Sequence, residues 1–412
     1  MFRSLRTVSR LRAPTTKFFC TTRPEPQVAD NLLQIGTRRI FDHDHDMYRE
    51  LCRSFYQDKV VPFEKEWEAD GHVSREVWKQ AGENGMLGVT VPEEYGGLGL
   101  DAKYAAVHWE EQSYSLNSGV GFSLHSEIVC PYLVHYGSEE MKHKYLPKLI
   151  SGEWIGAIAM TEPGAGSDLQ GMRTTAVADG DDYIINGSKT FITNGWHADL
   201  VIVCAKTDPT AGAKGISLFA VETSTPGFIK GRKLKKMGMK AQDTAELFFE
   251  DMRVPKSALI GKEGKGFPML MTELPQERLL IAVQGLAAAE SCFEITRAYV
   301  NERKAFGKPI GQLQTIKHNM AEIKTELAVA RAFTDRCIEL LNDNKLDSVT
   351  ASMAKYWVTD LQCATIDKCV QLHGGWGYMW EYPVCRAFVD ARVQRIYGGT
   401  NEIMKELIGR GI

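Results

Sequence analysis

The residue pattern changes twice along the chain, from helical to strand-like and back to helical. From about 47 to 154 the apolar residues follow a helical spacing, with breaks at 92–97 and 136–138. From about 155 to 267 short strand-like runs alternate with turn residues. From Pro268 onward apolar residues again recur every three or four positions. This order predicts an α+β fold with a helical, a β and a second helical domain.

The middle region indicates a barrel or a sandwich. Its runs, such as KTFITNG and GISLFAVET, are short and are separated by turn residues. The Asn186-Gly187 step between two such runs is a typical signal for a two-residue hairpin turn. We therefore predict a central β-barrel/sandwich domain with a hairpin turn at Asn186 and Gly187.

The last region predicts a four-helix bundle. One apolar stripe at helical spacing comprises Leu279, Ala282, Leu286, Ala289, Phe293, Thr296 and Val300. Further helical segments run from about 312 to 342 and from Asp347, a predicted N-cap, to Leu372. Long helices with short links pack as antiparallel bundles. The predicted domains are residues 28–155 (N-terminal, helical), 156–267 (central, β) and 268–412 (C-terminal, helical).

The first residues have the composition of a targeting segment. Residues 1–24 contain six basic side chains and no acidic one. An Arg-rich, acid-free start with Ser and Thr is typical of a mitochondrial presequence, whereas a secretory signal needs an unbroken apolar core. We predict that residues 1–27 are a mitochondrial transit peptide, and a disordered basic tail is the alternative.

Composition argues against several other classes of protein. The hydrophobic share of 44% and the charged share of 25% are ordinary for a soluble globular chain, and we expect no transmembrane segment. A net charge of -3 provides no field for binding nucleic acid. The nine cysteines are never spaced C-x-x-C, which favours buried thiols over disulfides or a zinc site. The run Asp-His-Asp-His-Asp at 42–46 lacks a second cluster, so we interpret it as a helix start and predict no metal site.

The positions of the glycines indicate where a ligand binds. The chain has no G-x-S-x-G, no P-loop and no G-x-G-x-x-G after a strand. Its glycines cluster instead at 161–168 (TEPGAGSD), 371–377 (QLHGGWG) and 397–402 (YGGTNE). Glycines beside Ser and Thr let backbone N–H groups approach a polar ligand closely. Each cluster alone is equally compatible with a turn or a helix cap, but together they predict a binding site.

In these blocks the sequence resembles the acyl-CoA dehydrogenases, flavoenzymes of fatty-acid β-oxidation. The resemblance runs from about 41 to 408 and includes AMTEPGAGSD (159–168), KTFITNG (189–195), RKAFGKPIGQLQ (303–314), VQLHGGWGY (370–378) and IYGGTNEI (396–403). It implies the three-domain fold of that family, FAD as cofactor and acyl-CoA as substrate. It also implies electron-transfer flavoprotein as electron acceptor, a homo-oligomer that is mostly tetrameric, and a place in the mitochondrial matrix.

The resemblance further implies which residues hold the cofactor and the substrate. The loop at 158–167 would hold the flavin ring and pyrophosphate, and Phe191 would pack on the isoalloxazine where the family commonly has Trp. The blocks at 303–314 and 371–375 would hold the adenine-dinucleotide half of a neighbouring subunit's FAD, and 400–402 would close on the cofactor. The implied cofactor residues are Ile158, Ala159, Met160, Thr161, Glu162, Pro163, Gly164, Ala165, Gly166, Ser167, Phe191, Ile192, Thr193, Arg303, Phe306, Gln314, Gln371, Leu372, His373, Gly374, Gly375, Thr400, Asn401 and Glu402. The implied substrate residues are Ser167, Pro275, Gln276, Glu277, Arg278, Gly398 and Gly399.

The sequence departs from the family pattern at the catalytic base. Most members carry a Glu in the terminal loop, as Y-E-G-T, where this chain has Gly398. Some members instead carry the Glu on the first long C-terminal helix, and the block PQERL at 275–279 matches that arrangement. We therefore predict Glu277 as the base, with Glu273, one turn earlier, as the competitor. The backbone N–H of Gly398 or Gly399 would polarise the substrate thioester.

The flanks of these motifs look most like the long-chain members of the family. Gly119, Gly121 and Ser123 would line a tunnel for a long acyl tail, although ordinary close helix packing is the favoured explanation for these small residues. A branched-chain, isovaleryl-type enzyme is the first alternative. An acyl-CoA oxidase is a weaker alternative, because such an enzyme is expected to be longer and peroxisomal. A non-catalytic flavin- or acyl-CoA-binding assembly factor is also weaker, because Glu277 and every cofactor block are present.

Overall fold

The N-terminal part of the protein is helical. The computed structural model describes residues 38–412, and the predicted transit peptide lies outside them. Its first helices are α1 His43–Phe55, α2 Glu64–Asp70, α3 Arg75–Glu83, α4 Ala102–Tyr114, α5 Phe122–Leu124, α6 Cys130–Tyr136 and α7 Glu139–Ile150. Asp42 caps α1 by accepting from the backbone N–H groups of Asp44 and His45, so the Asp/His run begins a helix as predicted.

Helices α5 and α6 are joined by a π-helical segment, His125–Val129, into one continuous helix. A π segment adds a residue to the turn and changes which side chains share a face, and such segments are frequent at functional sites. Ser123, at the start of this helix, bonds to Gln112 of α4 and to Gln284 farther along the chain. Tyr132, nearer its end, bonds to Glu277. The combined helix therefore faces the C-terminal domain.

The central part is one mixed sheet. Its strands are β1 Gly156–Ala159, β2 Thr175–Asp179, β3 Asp182–Thr193, β4 Leu200–Lys206, β5 Ile216–Glu222, β6 Phe228–Lys233, β7 Thr244–Pro255 and β8 Leu259–Ile260. Their order is β6-β7-β3-β2-β4-β5-β8, and β1 pairs in parallel with β4. Both faces of β4 are buried, because Val201 and Val203 pack inside the sheet domain while Ile202 packs against helical residues such as Leu146. This explains the unbroken apolar run in that strand.

The hairpin predicted at Asn186-Gly187 is wrong. Both residues lie inside β3, and the tight turn between β2 and β3 is formed by Gly180 and Asp181. Asn186 exchanges two hydrogen bonds with Asp251 across the sheet, at a bulge in the β3–β7 pairing. The pairing of two long strands has overridden a local turn signal.

The C-terminal part is a bundle around one long helix. Its elements are α8 Gly266–Glu302, the hairpin β9 Lys304–Ala305 and β10 Lys308–Pro309, α9 Gln314–Asn342, α10 Ser348–His373, α11 Pro383–Gln394 and α12 Asn401–Gly409. All seven residues of the predicted apolar stripe are buried on α8, and Asp347 caps α10 as predicted. Helix α8 is long and apolar enough to cross a membrane, but 83% of its most apolar stretch is buried inside the protein. It is therefore the central core helix of the bundle.

A buried ion network connects the two helical parts. Glu110 of α4 is fully buried and contacts the guanidinium groups of Arg38, Arg49 and Arg331, the last of these on α9. Burial alone would raise the pKa of Glu110, but the three guanidinium groups hold it well below its ordinary value. The network fixes α4 against the bundle and so helps to position α8.

Candidate active site

Glu277 is a buried carboxyl group on the first half of α8. Its side chain is 3% exposed and follows Pro275 within the helix. The hydroxyl group of Tyr132 donates a hydrogen bond to Oε1 of Glu277 at 3.0 Å. Burial raises the pKa of Glu277 to about 7, and the Tyr132 hydrogen bond opposes that rise. A carboxyl group with this pKa is suited to taking up a proton near neutral pH.

Glu273, the competing candidate, lies one helical turn earlier and already has two hydrogen-bond donors. Its Oε1 accepts from the Tyr136 hydroxyl at 2.7 Å and lies 3.0 Å from His135 Nδ1. The hydrogen bond to Glu273 raises the pKa of His135, so the pair gains ionic character as the pH falls. The geometry therefore favours Glu277 over Glu273 as the free base.

The terminal loop lies beside Glu277. Gly398 has φ of +64° and Gly399 has φ of +91°, both in the left-handed region that favours glycine. A Cβ added to Gly398 would lie 2.4 Å from Cδ1 of Ile281, which is one turn after Glu277 on α8. The structure thus brings Gly398 and Glu277 to the same face of α8. It also leaves no room in the loop for a side chain without a rearrangement.

Lys355 of α10 holds this loop from behind. Its ammonium group is buried and donates to the carbonyl oxygen of Gly399 at 2.7 Å and to Asn401 Oδ1 at 2.9 Å. Burial lowers the pKa of Lys355 to about 8. The Asn401 side chain is committed to this internal network, and Thr400 caps α12, whereas Glu402 is exposed. The loop is therefore anchored at Gly399 and Asn401 and offers a ligand mainly its backbone.

The loop after β1 is held by a second buried lysine. Lys189 donates to Glu162 Oε1 at 2.9 Å and to the carbonyl oxygen of Met160 at 3.1 Å. Glu162 also accepts from the backbone N–H of Thr174 at 3.0 Å, so its side chain points into the protein. Ile158 and Ala159 are buried in β1. In the outer part of the loop, from 163 to 167, every residue except the buried Ala165 is exposed, so a ligand can reach it.

Phe191 is an exposed aromatic ring on a strained backbone. It lies in the bulge where the β3–β7 pairing shifts between Lys189 and Ile192, with φ of +60° and 68% of its surface exposed. A non-glycine residue in that conformation is uncommon, and bulges of this kind redirect side chains next to binding sites. Ile192 is buried and Thr193 is half-buried, so Phe191 is the ring that this segment presents.

A separate cavity lies at the far end of the bundle. It has a volume of about 470 Å³ and is lined by Tyr299, Arg303, Ile310, Gln371, Leu372, His373, Gly374, Gly375, Trp376 and Met379. Tyr299 is 22 residues after Glu277 on α8, a separation of about 33 Å along the helix axis. Within one chain, the residues that line this cavity are therefore far from Glu277. Phe306, at the tip of the β9–β10 hairpin, and Gln314 are exposed but do not line the cavity.

The loop at 163–167 with the ring of Phe191, and the cavity at the far end of the bundle, together fit an extended aromatic cofactor that carries phosphates. A Cβ added at Gly164, Gly166, Gly374 or Gly375 would meet no atom within 4 Å, so a ligand can approach the backbone at both segments. Phe191 supplies an aromatic surface, and Arg303 supplies a cation in the far cavity. Within residues 38–412, no three His, Cys, Asp or Glu side chains converge as metal ligands would.

Several of these groups carry no recognisable signal in the sequence. Tyr132 and Glu127 stand within an apolar stretch, and Lys189 and Lys355 are lysines, which are normally exposed. Gln276 Nε2 donates to the backbone carbonyl of Glu127 at 2.9 Å, so the helix that carries Glu127 is bonded directly to the PQERL block. These contacts join residues far apart in the chain, and only the fold reveals them.

Comparison with known proteins gives matches along the whole described chain. Family models of acyl-CoA dehydrogenases match as the N-terminal domain at 42–153, the middle domain at 157–252 and the C-terminal domain at 264–412. The chain is 57% identical over 421 residues to the long-chain specific acyl-CoA dehydrogenase, mitochondrial, of Rattus norvegicus, covering 100% of this chain and 98% of the relative.

Solved structures of acyl-CoA dehydrogenases are also similar to this chain. An acyl-CoA dehydrogenase from Geobacillus kaustophilus is similar with a TM-score of 0.89 and 50% identity, covering 90% of this chain and 99% of that one. A glutaryl-CoA dehydrogenase from Mycobacterium smegmatis in complex with FADH2 is similar with a TM-score of 0.85 and 30% identity, covering 92% of this chain and 96% of that one.

Proposed function

Because the chain belongs to the acyl-CoA dehydrogenase family, we propose that Glu277 is the base that removes the α-proton from its acyl-CoA substrate. The contact that carries this proposal is the hydrogen bond from Tyr132 to the buried Glu277 carboxylate, with Gly398 on the same face of α8. The predicted fold is confirmed, and the identity to the rat long-chain enzyme supports long-chain acyl-CoA as the substrate. The reaction forms a trans-2-enoyl-CoA.

Two groups of this chain act on the substrate's α-carbon and thioester. Glu277, with a pKa of about 7, is substantially ionised at neutral pH and can accept the α-proton. An acyl chain that enters beside Glu277 displaces water from its carboxylate. This desolvation raises the pKa of the carboxyl group further and so makes Glu277 a stronger base. The backbone N–H of Gly398 would donate to the thioester oxygen and so stabilise the developing enolate. The loop anchored by Lys355 keeps that donor in place.

The cofactor that these residues fit is FAD. When bound, FAD supplies the acceptor for the β-hydride. We assign the outer loop from Pro163 to Ser167 and the ring of Phe191 to the flavin end. We assign the cavity around Arg303 and residues 371–375 to the adenine end. The cavity lies about 33 Å along α8 from Glu277. Each complete FAD site would therefore combine the flavin-end residues of one chain with the adenine-end residues of another. This arrangement requires at least a dimer and agrees with a homotetramer.

Two further assignments follow from the family. Electron-transfer flavoprotein is the proposed electron acceptor. The matrix is the proposed compartment, because the rat relative is named as mitochondrial and residues 1–27 have the composition of a presequence. The isovaleryl-type alternative would require a short branched substrate.

One experiment tests the base and the substrate class together. Glu277→Gln should retain FAD but lose turnover of palmitoyl-CoA by about 10³-fold, the magnitude of a lost general base. The matched variant Glu273→Gln, four residues earlier, should retain most of the activity. Anaerobic addition of acyl-CoA esters of increasing length should bleach the parent flavin best with long chains. Near-normal turnover by Glu277→Gln would refute the base assignment. Bleaching only by isovaleryl-CoA would favour the branched-chain enzyme, and no bleaching at all would favour the assembly factor.

A further inference from the structure

Glu127 is a deeply buried carboxyl group whose oxygen atoms have no hydrogen-bond partner among residues 38–412. It lies in the π segment between α5 and α6 and is 2% exposed. The buried carboxyl groups of Glu110 and Glu162 have cationic partners, Arg331 and Lys189 respectively, and the buried Glu277 accepts from the Tyr132 hydroxyl group. Glu127 therefore differs from the structural carboxylates of this fold.

An unpartnered buried carboxyl group is costly and needs an explanation. Burial raises the pKa of Glu127 to about 8, with no compensating cation. Leaving a buried polar group unsatisfied destabilises the folded protein, and more so if the group is charged. Buried polar groups in folded proteins are almost always paired with protein, water or a ligand. Glu127 is thus a candidate for contact with something that enters the protein.

The surroundings of Glu127 connect it to the proposed reaction site. Its helix carries Tyr132, which bonds to Glu277, and its own carbonyl oxygen accepts from Gln276 at 2.9 Å. Glu127 precedes Tyr132 by five residues, a distance of about 7 Å along a helix. It lies in the protein interior, where the acyl tail rather than the charged coenzyme end would be accommodated.

A second unpartnered group lies near Glu127. The hydroxyl group of Tyr48, on α1, is buried and forms no hydrogen bond with the part of the chain that the structure describes. Burial raises the pKa of that hydroxyl well above its ordinary value, the neighbouring Cys52 thiol adds to the rise, and the charge of Glu127 makes a smaller contribution. The interior between α1, α6 and α8 thus contains an acceptor, Glu127, and a donor, Tyr48, that form no hydrogen bond within residues 38–412, and the thiol of Cys52 is only a weak acceptor beside Tyr48.

We propose that Glu127, together with Tyr48, is a specificity-determining pair that contacts the acyl tail and selects chains bearing a hydroxyl group in their interior. This rests on the proposed function, because it requires the tail to run from Glu277 past Glu127. A hydroxyl group on the tail donates to Glu127 and accepts from Tyr48, which satisfies both groups at once. A plain alkyl chain leaves both unpaired, and sites built to bond a hydroxyl group discriminate against analogues that lack it.

The test compares palmitoyl-CoA with its monohydroxylated analogues, the hydroxyl group being moved along the chain one position at a time. The measured quantity is kcat/KM for each analogue divided by kcat/KM for palmitoyl-CoA. In the parent this ratio should peak at one interior position, about 10-fold above the other positions, as expected for one or two satisfied hydrogen bonds. Glu127→Leu should abolish the peak, Tyr48→Phe should reduce it, and Glu127→Gln, whose amide can also donate and accept, should retain part of it.

The outcomes separate the two proposals. FAD content and thermal unfolding establish that each variant is folded, and if Glu127→Leu fails to fold, the parent profile and Tyr48→Phe decide. A flat profile in a parent that turns over palmitoyl-CoA would overturn the role of Glu127 while leaving the proposed function intact. A peak that survives Glu127→Leu would overturn it too. A parent that turns over neither plain nor hydroxylated chains would refute the proposed function, and the role of Glu127 with it.

Discussion

Replacing Tyr132 with Phe should move the pH dependence of catalysis toward higher pH. The substitution removes only the hydroxyl group that donates to Glu277 Oε1 at 3.0 Å. That hydrogen bond stabilises the ionised carboxylate and holds the pKa of Glu277 at about 7 despite its burial. Without it, the same burial should raise the pKa further. Because a base must be ionised to accept a proton, kcat/KM should rise with pH through that pKa.

The size of the shift follows from the strength of the lost bond. A hydrogen bond to a charged group contributes about 1.5–3 kcal/mol, and 1.36 kcal/mol corresponds to one pKa unit. The midpoint of the rise in kcat/KM should therefore move from near pH 7 in the parent to about pH 8–9 in Tyr132→Phe. At pH 7 the variant should be about 5- to 50-fold slower, because the parent base is itself only half ionised there, and most of that loss should disappear in alkaline buffer.

The assay is the rate of flavin reduction by palmitoyl-CoA under anaerobic conditions, measured from pH 6 to pH 10. Tyr136→Phe is the matched control, because Tyr136 donates to Glu273 and not to Glu277. It should leave the midpoint unchanged. An unmoved midpoint in Tyr132→Phe would refute the assignment of the pKa to Glu277. A shift in Tyr136→Phe alone would identify Glu273 as the base.

Three further substitutions probe the loop and the interior. Gly398→Ala should lower kcat/KM by about 10-fold or more in steady-state assays, because φ of +64° and the contact with Ile281 would displace the loop N–H. Lys355→Met removes the donor to the Gly399 carbonyl oxygen and should lower kcat by about 10-fold, the equivalent of one hydrogen bond, with FAD content as the control. The folded-state pKa of Glu127, about 8, lies above its ordinary value, so the parent loses stability as the pH rises from about 4.5 to about 8. Glu127→Gln should therefore gain up to about 1.4 kcal/mol per pH unit relative to the parent across that window, and apparent Tm values that differ equally at pH 5 and pH 8 would contradict this.

Local patterns predicted the architecture well. The apolar stripe from Leu279 to Val300 identified α8 because helical periodicity depends only on neighbouring residues. The caps at Asp42 and Asp347 were predictable for the same reason. The turn at Asn186-Gly187 was wrong because a two-residue signal cannot compete with the long β3–β7 pairing, in which Asn186 bonds to Asp251.

The sequence by itself determined the order of helical and β regions, the positions of the glycine-rich loops and the absence of a Glu at position 398. It narrowed the base to two glutamates four residues apart on one helix. The motif match favoured Glu277, and only the tertiary structure shows which donors surround each carboxyl group. Tyr132 is 145 residues away from Glu277 in the chain, and His135 and Tyr136 occupy Glu273 from the same distant helix. The pKa of a carboxyl group depends on the solvent and donors around it, and these are supplied by segments that are neighbours only after folding.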